Sequence, residues 1–136
     1  MIDRMDQFET DVLAMLLAGD DEVLAALRHQ LEVSKRERRE YTVVGFFTYY
    51  AIPSNFVLLG SPSFVIYDVW ATFPGLESPV ALQLFISEGF IHMLEGVTCE
   101  GYWPASIAEY SLFYSDGAVR NLAKLRAMPE WPKGLG

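Results

Sequence analysis

The sequence predicts an α+β fold: two N-terminal helices packed on an antiparallel sheet of about five strands, followed by a short C-terminal helix. Three observations support this prediction. Apolar residues recur with the period of a helix near the N-terminus. Runs rich in β-branched and aromatic residues begin at Tyr41. Nearly all of these runs are separated by short turns, and short connections favour antiparallel pairing.

The length and composition are those of one folded domain. The chain has 136 residues, of which 51% are apolar and 14% are aromatic. Domains commonly contain about 100–150 residues, so residues 1–136 are predicted to form a single α+β domain. A disordered chain lacks the apolar groups that a core requires, so this composition excludes disorder.

The N-terminus and the single cysteine indicate a cytoplasmic protein. Cys99 has no partner for an intramolecular disulfide, and the N-terminal stretch MIDRMDQFETDV has no apolar signal core. No run approaches the roughly 18 apolar residues of a membrane-spanning helix. We therefore expect a cytoplasmic location and no membrane partner.

Charge is distributed unevenly along the chain. The net charge is −8, and the Lys and Arg residues all lie at positions 4–39 or 120–133. The segment between Tyr41 and Val119 has none of them, but it has seven acidic residues: Asp68, Glu77, Glu88, Glu95, Glu100, Glu109 and Asp116. Such a field repels nucleic-acid phosphates and attracts a basic partner. We therefore predict a basic protein partner and no nucleic-acid binding.

Two amphipathic helices are predicted at the N-terminus. The first covers residues 5–18, and Gly19 suits the left-handed turn after a helix end. Asp20 is predicted to cap the second helix, which is expected to extend into the basic run KRERRE at residues 35–40. That run is interpreted as a solvated helix end with cations near its C-terminus. The alternative is a patch for nucleic acid or an acidic partner.

Strands and a last helix are predicted after residue 40. The strands cover residues 41–53, 63–75, 80–87, 90–98 and 109–115. Asp116 is expected to cap the last helix, whose apolar stripe is Val119, Leu122 and Leu125. The first two strands are apolar on both faces. The C-terminal segment or a second subunit must therefore cover the second face of the sheet, unless the sheet bends around a cavity; we favour a homodimer or a partner surface.

The stretch SEGFIHMLEG is predicted to be a β-hairpin with Glu88 and Gly89 in the turn, because Gly suits the second turn position. The expected pairs are Ser87 with Phe90, Phe85 with His92, and Leu84 with Met93. One face would then carry Leu82, Leu84, Ile86, Ile91, Met93 and Glu95, and the other Gln83, Phe85, Ser87, Phe90, His92 and Leu94. His92 and Glu95 lie on opposite faces unless a bulge at Gly96 resets the alternation, so they are a poor pair for metal or acid–base chemistry.

The sequence has no motif typical of an active site. Cys99 is not part of a CxxC pair, and the only imidazoles are those of His29 and His92. Glu95, Glu100 and Asp68 offer carboxylates for hydrolysis, but acids at strand ends are normally solvated. Phosphate-binding loops, GxGxxG runs, GxSxG elbows and HExxH helices are absent. We predict no catalytic residue, no metal and no cofactor.

Three stretches resemble a known group of proteins. YTVVGFFTYYAIP, FISEGFIHMLEGVTCEGYWP and EYSLFYS, in this order after two short helices, look like a group of small, functionally uncharacterised bacterial cytoplasmic proteins. The resemblance covers most of the chain. It implies a bacterial origin and a compact α+β fold, and it transfers no catalytic residue.

Three functions agree with these features, and we favour binding over catalysis. The leading hypothesis is a small acidic binding protein similar to bacterial toxin-immunity proteins, which would inhibit a basic partner through Glu95, Glu100, Tyr102 and Trp103. The second is a small-molecule-binding protein or enzyme with an aromatic pocket on the sheet, lined by Tyr49, Tyr50, Trp70, Phe85 and His92. The third is an architectural homo-oligomer.

Overall fold

The computed structural model describes residues 3–133 and confirms the predicted α+β class. Two N-terminal helices and a short C-terminal helix accompany a six-stranded sheet, close to the predicted strand number. In chain order the elements are α1 (Met5–Leu16), α2 (Glu22–Val33), β1 (Lys35–Tyr41), β2 (Gly45–Ala51), a 3-10 turn (Ser54–Phe56), β3 (Phe64–Thr72), β4 (Val80–Ser87), β5 (Phe90–Thr98), β6 (Ser111–Tyr114) and α3 (Leu122–Arg126).

All paired strands are antiparallel, in the order β1-β2-β5-β4-β3-β6. The β4–β5 hairpin therefore forms the centre of the sheet, and β1 and β6 form its edges. α1 packs on β3 and α2 packs on β5. We call the side that they cover the covered face. Its core includes Phe8, Leu16, Leu24, Leu27, Phe46, Ile66, Leu82, Leu84 and Leu94, all without exposed surface.

The C-terminal segment packs mainly on the covered face and borders the other side of the sheet only beside the start of β3, where Met128 lies near Val65, so it leaves most of that side open. Leu125 of α3 is buried, and the Trp131 ring contacts the buried Phe64 ring with centroids 5.3 Å apart. The prediction that Asp116 caps this helix is wrong. Asn121 caps it, because its side-chain oxygen accepts the Lys124 amide at 3.0 Å.

The two N-terminal helices form where predicted, with shifted ends. α1 ends at Leu16 instead of residue 18, and Gly19 then has the left-handed backbone expected after a helix, with φ 130°. Asp21, not Asp20, caps α2. Its carboxylate accepts the amides of Val23 and Leu24 at 2.8 and 3.0 Å, which satisfies two free donors of the first helical turn.

Residues 35–40 belong to strand β1, so the predicted helical extension is wrong. α2 ends at Val33, and Ser34 has an extended backbone with φ −75° and ψ 159°. The cause is tertiary, because β1 brings Arg36 and Arg39 to acidic side chains of α1. The run predicted as one strand at residues 41–53 is correspondingly divided: Tyr41 ends β1, and β2 begins at Gly45.

The β4–β5 hairpin is confirmed, but its register is not the predicted one. Glu88 and Gly89 both have positive φ, 49° and 87°, as the favoured two-residue turn requires, and Ser87 pairs with Phe90. A bulge then adds one residue to β5. Phe85 pairs with Met93 and Leu84 with Leu94, so the predicted partners of Phe85 and Leu84 are wrong. The bulge lies at His92 rather than Gly96, so Leu94 lies on the covered face and Met93 and Glu95 lie on the other. His92 lies on the same side as Glu95, so the prediction that these two residues occupy opposite faces is wrong.

The buried Gln30 side chain of α2 holds the hairpin against the helix. Its amide nitrogen donates to the carbonyl oxygens of Phe56 and Gly89 at 2.9 and 2.8 Å, and its oxygen accepts the Ile91 amide at 2.8 Å. β2 pairs with β5 only between Met93 and Val97. Gln30 thus supplies the hydrogen-bond acceptor that β2 does not provide at Ile91.

A second bulge lies in β3. Ile66 pairs with Leu84 and Val69 pairs with Leu82, so two residues of β3 oppose one of β4. Val69 is therefore fully buried on the covered face with Ile66, whereas Trp70 lies on the other face. Uninterrupted alternation would place Trp70 on the same face as Ile66, and the bulge prevents this.

Candidate interaction surfaces

The second side of the sheet, called the open face below, lies opposite α1 and α2, and the C-terminal segment borders it at Met128, Pro129 and Glu130. Its side chains form three cross-strand rows: Tyr49–Met93–Phe85–Val65, Phe47–Glu95–Gln83 and Val97–Ala81–Trp70–Phe113. All of these residues are half-buried, and the first two rows continue at the sheet edge into the exposed Arg38 and Glu40 of β1. When one face of an antiparallel sheet is exposed to solvent, that face normally carries polar residues. The apolar composition of the open face therefore indicates a surface that binds something.

Glu95 and Gln83 are the polar residues at the centre of the open face. They lie directly opposite each other on β5 and β4. Burial raises the pKa of the Glu95 carboxyl, and no cation offsets this effect. Neither side chain makes a hydrogen bond with another described residue. Both groups therefore retain their full capacity to bond with a partner.

A second surface lies at the end of the sheet where β2 begins and β5 ends. We call it the Tyr102 patch, and it consists of Tyr41, Val43, Val44, Glu100 and Tyr102. Its apolar side chains are far more exposed than those of the open face: Tyr102 is 73% exposed, Val43 68%, Tyr41 55% and Val44 42%. Several adjacent exposed apolar side chains mark a contact surface more strongly than single ones do.

The backbone of the Tyr102 patch is fixed by hydrogen bonds. The Thr98 amide donates to the Val44 carbonyl at 2.8 Å, and the Trp103 amide donates to the Val43 carbonyl at 2.9 Å. The Thr98 hydroxyl closes the loop by donating to the Gly101 carbonyl at 2.9 Å. Tyr102 is therefore held in place before any partner binds, which reduces the entropy lost on binding.

Trp103 anchors this loop in the core instead of facing solvent. Its ring centroid lies 5.0 Å from that of Phe46, 5.5 Å from Phe73 and 6.2 Å from Phe8. Of the four residues predicted to bind a partner, Glu100 and Tyr102 share the Tyr102 patch, and Glu95 lies on the open face. Trp103 packs beneath the patch and orients it.

The acidic residues of the central segment differ in their pairing. Asp68 accepts two hydrogen bonds from Arg120, at 2.9 and 2.8 Å, and Asp116 lies 3.4 Å from Lys124. The other five form no ion pair within the part of the chain that the structure describes: Glu77, Glu88, Glu95, Glu100 and Glu109. The negative charge of this segment therefore remains largely uncompensated at the surface.

The residues predicted to line an aromatic pocket are distributed over both faces. Phe85 and His92 line one groove of about 520 Å³ at the turn end of the open face, together with Val65, Met93 and Met128. Tyr49 lies beside it, 5.8 Å from the His92 ring and under the Arg38 guanidinium. Trp70 belongs to another row and donates to the Ser115 hydroxyl at 3.1 Å. Tyr50 is buried on the covered face.

The densest polar cluster of the molecule was not recognised from the sequence. It joins Asp6 and Glu9 of α1 to Arg36 and Arg39 of β1. Glu9 is only 4% exposed, and its carboxylate accepts hydrogen bonds from Arg39 at 2.8 Å, from the Thr48 hydroxyl and from the Tyr50 hydroxyl at 3.4 Å. Asp6 accepts hydrogen bonds from Arg36 and Arg39 at 2.6 and 2.7 Å.

The electrostatic consequences of this cluster are structural. Hydrogen bonds from Arg39 and Arg36 lower the pKa of Asp6. Burial and the nearby Glu9 charge raise the pKa of Tyr50, so its hydroxyl stays protonated as a donor. Because every group of the cluster is bonded within the chain, the cluster attaches edge strand β1 to α1. The only sign of this cluster in the sequence is a pair of acids three residues apart, at positions 6 and 9, that precedes the basic run at residues 35–40.

Cys99 and His92 lie too far apart to act together in catalysis or metal binding. Cys99 is exposed immediately after β5, and His92 lies in the bulge near the other end of that strand. Seven strand residues separate their positions by roughly 20 Å. Among the described residues, no three His, Cys, Asp or Glu side chains are close enough to hold a metal ion.

Comparison with known proteins gives no relative for this chain. No protein family, no curated protein and no solved structure matches it. Within residues 3–133, none of the helices combines the length and apolar character needed to cross a bilayer.

Proposed function

We propose that this protein binds a basic protein partner through the Tyr102 patch, in the way that a toxin-immunity protein binds and inhibits its toxin. The observation that carries this proposal is the exposure of Tyr102 on a hydrogen-bonded loop beside the unpaired Glu100. Aromatic residues in such positions contribute most of the energy at many interfaces.

Charge complementarity supports a basic partner. Three unpaired acids lie at the same end of the sheet as Tyr102. Glu77 follows the end of β3, Glu100 follows the end of β5, and Glu109 precedes the start of β6. Arg38 of β1 lies over the Tyr49 ring, level with Met93 rather than with the Tyr102 patch, and it is bonded to Glu40 at 2.8 Å. A cationic protein surface would be attracted to this end of the molecule, and such steering accelerates association.

Rigidity supports the same function. The patch is held by Trp103, which packs among three core rings, and by bonds from β5 to the residues that precede β2. A pre-ordered patch loses little side-chain and loop entropy on binding. The small-molecule alternative has weaker support, because Tyr50 and Trp70 lie away from the groove that contains Phe85 and His92.

The test uses a photocrosslinking amino acid at position 102 of the full chain, in extracts of the organism that encodes it. A matched chain carries the same group at Leu59, which is 69% exposed at the opposite end of the sheet. We expect a basic protein to be crosslinked from position 102 and not from position 59. That protein is then purified, and its binding to the unmodified chain is measured by calorimetry.

With the purified pair, Tyr102→Ala should raise the dissociation constant by about thirtyfold or more, as expected for a central aromatic residue. Glu100→Gln should mainly slow association and reduce its dependence on salt. Leu59→Ala and Glu130→Gln serve as controls and should change neither quantity. An acidic partner, equal crosslinking from both positions, or binding that is insensitive to Tyr102→Ala would contradict the proposal.

A further inference from the structure

We propose that a second copy of this chain covers the open face, forming a two-fold symmetric dimer in which Glu95 of each copy meets Gln83 of the other. This dimer leaves the Tyr102 patch accessible and does not depend on the function proposed above. The proposal is based on the area of the open face, its composition and the arrangement of its two central polar groups.

The open face is large enough for a dimer interface. The four strands β2, β5, β4 and β3 contain seven to nine residues each, and the four-residue β6 extends them at one end. At about 3.3 Å per residue and about 4.8 Å per strand, these four strands cover roughly 27 Å by roughly 19 Å. That flat area of roughly 500 Å², to which β6 and the relief of the side chains add, falls in the range of the smaller protein interfaces, which bury up to about 600 Å² per partner.

From β2 to β6 the composition of the open face is that of a sheet interior, whereas its β1 edge carries Arg38 and Glu40. Apart from Glu95 and Gln83, its three rows consist of apolar and aromatic side chains from Phe47 of β2 to Phe113 of β6. Two sheets that pack face to face interdigitate such side chains across about 10 Å, with their strands within about 30° of one another. A second open face is therefore a suitable cover for the first.

The position of Glu95 and Gln83 selects the symmetry. Aligned stacking of two identical sheets allows a two-fold axis across the strands or along them. An axis across the strands at the level of the central row superimposes β5 on β5 and brings the two Glu95 carboxylates together, which is disfavoured by their like charge. An axis along the strands, between β5 and β4, superimposes β5 on β4 and brings each Glu95 over Gln83 of the other copy.

The second arrangement satisfies groups that have no partner in one chain. The Glu95 carboxylate accepts and the Gln83 amide donates, so each contact pairs an acceptor with a donor, and the axis creates this contact twice. The same axis places Val97 over Ala81 and Met93 over Phe85 of the other copy, because these residues occupy equal levels on the two central strands. The open face is thus complementary to itself.

Three nearly isosteric variants of the full chain test this geometry. Gln83→Glu places two carboxylates in each contact and should raise the dimer dissociation constant at least about tenfold, because juxtaposed like charges at an interface are costly. Glu95→Gln forms contacts between two amides and should remain dimeric. Asn55→Asp adds the same charge in the exposed 3-10 turn and is the matched control.

Mixing the two sheet variants separates the interface from effects within one chain. The carboxylate that Gln83→Glu introduces also lies beside Glu95 in its own chain, and this repulsion persists on mixing. In a mixed dimer, however, each contact contains one carboxylate and one amide. Gln83→Glu chains should therefore form heterodimers with Glu95→Gln chains, detectable by native mass spectrometry.

The measurements are sedimentation equilibrium and native mass spectrometry, with circular dichroism to confirm that each variant is folded. We expect the natural chain to have twice its 15.4 kDa mass. A monomeric natural chain would overturn the proposal. So would a dimer unaffected by Gln83→Glu, a dimer weakened equally by Asn55→Asp, or a failure of the mixed variants to associate.

Discussion

Glu9 and Glu95 lie on opposite sides of the same sheet and contact consecutive residues of β2. Thr48 donates a hydrogen bond to Glu9 on the covered face, whereas Phe47 is the cross-strand neighbour of Glu95 on the open face. Glu9 is almost completely buried and has an arginine and two hydroxyl groups as donors. Glu95 is half-buried and has no bonding partner in the described part of the chain.

This difference separates a structural carboxylate from one that is free to bind a partner. A buried charge is tolerated when the chain supplies its counter-charge and hydrogen bonds, and Glu9 meets that condition. Glu95 has burial without compensation, which raises its pKa. Such a group has the capacity to bond with a molecule outside its own chain. Burial alone therefore does not distinguish the two roles, but the presence or absence of bonded partners does.

The largest expected effect comes from removing Glu9. Glu9→Ala leaves Arg39 without its most buried partner and Thr48 without its acceptor, so the free energy of unfolding should fall by about 3 kcal/mol. Urea unfolding measures this change. The same substitution at the exposed Glu109 should change stability by less than about 0.5 kcal/mol. Equal losses at both positions would show that the Glu9 cluster does not stabilise the fold.

A smaller effect is expected from Gly96→Ala on the covered face. A Cβ at Gly96 would lie 2.3 Å from Cε1 of the Phe46 ring, which is fully buried. The ring must move within a packed core, so we expect a loss of about 1–3 kcal/mol in thermal or urea unfolding. Ala81→Val, which adds volume on the open face, is the control and should be better tolerated. A neutral Gly96→Ala would mean that the core around Phe46 is loosely packed.

The smallest effect is expected from Glu95→Gln, and it depends on pH. The folded pKa of Glu95 lies above the ordinary value of 4.5, so ionisation is less favourable in the folded chain than in the unfolded one. Compared with the variant, the natural chain is therefore most stable below pH 4.5, where Glu95 is protonated in both the folded and the unfolded state. It loses stability relative to the variant as pH rises through the raised pKa of folded Glu95. The variant cannot ionise and should be slightly the more stable of the two at neutral pH.

The measurement compares unfolding midpoints of the two proteins from about pH 4 to about pH 8, at a protein concentration low enough to keep them monomeric. The difference in stability should disappear at the acidic end. If the natural chain instead gains on the variant as pH rises, a cation within the chain stabilises the Glu95 carboxylate, and the comparison with Glu9 fails.

Local sequence patterns determined the order and type of most elements. The three- and four-residue spacing of apolar side chains located α1 and α2, because a helix buries one stripe regardless of what it packs against. The extent of β4 and β5 and the Glu88–Gly89 turn were also correctly predicted, since a two-residue turn needs backbone angles that glycine adopts readily. The absence of Lys and Arg between Tyr41 and Val119 was visible from the positions of these residues in the sequence.

Tertiary contacts decided what the local patterns left open. KRERRE has the composition of a helix end, but it is a strand because Arg39 reaches Glu9, 30 residues earlier in the chain. The bulges at His92 and in β3 reverse the faces that alternation assigns to Met93, Leu94 and Trp70. Periodicity reports only how neighbouring residues alternate. Which side chains meet across the sheet depends on register, and register is set by residues far apart in sequence.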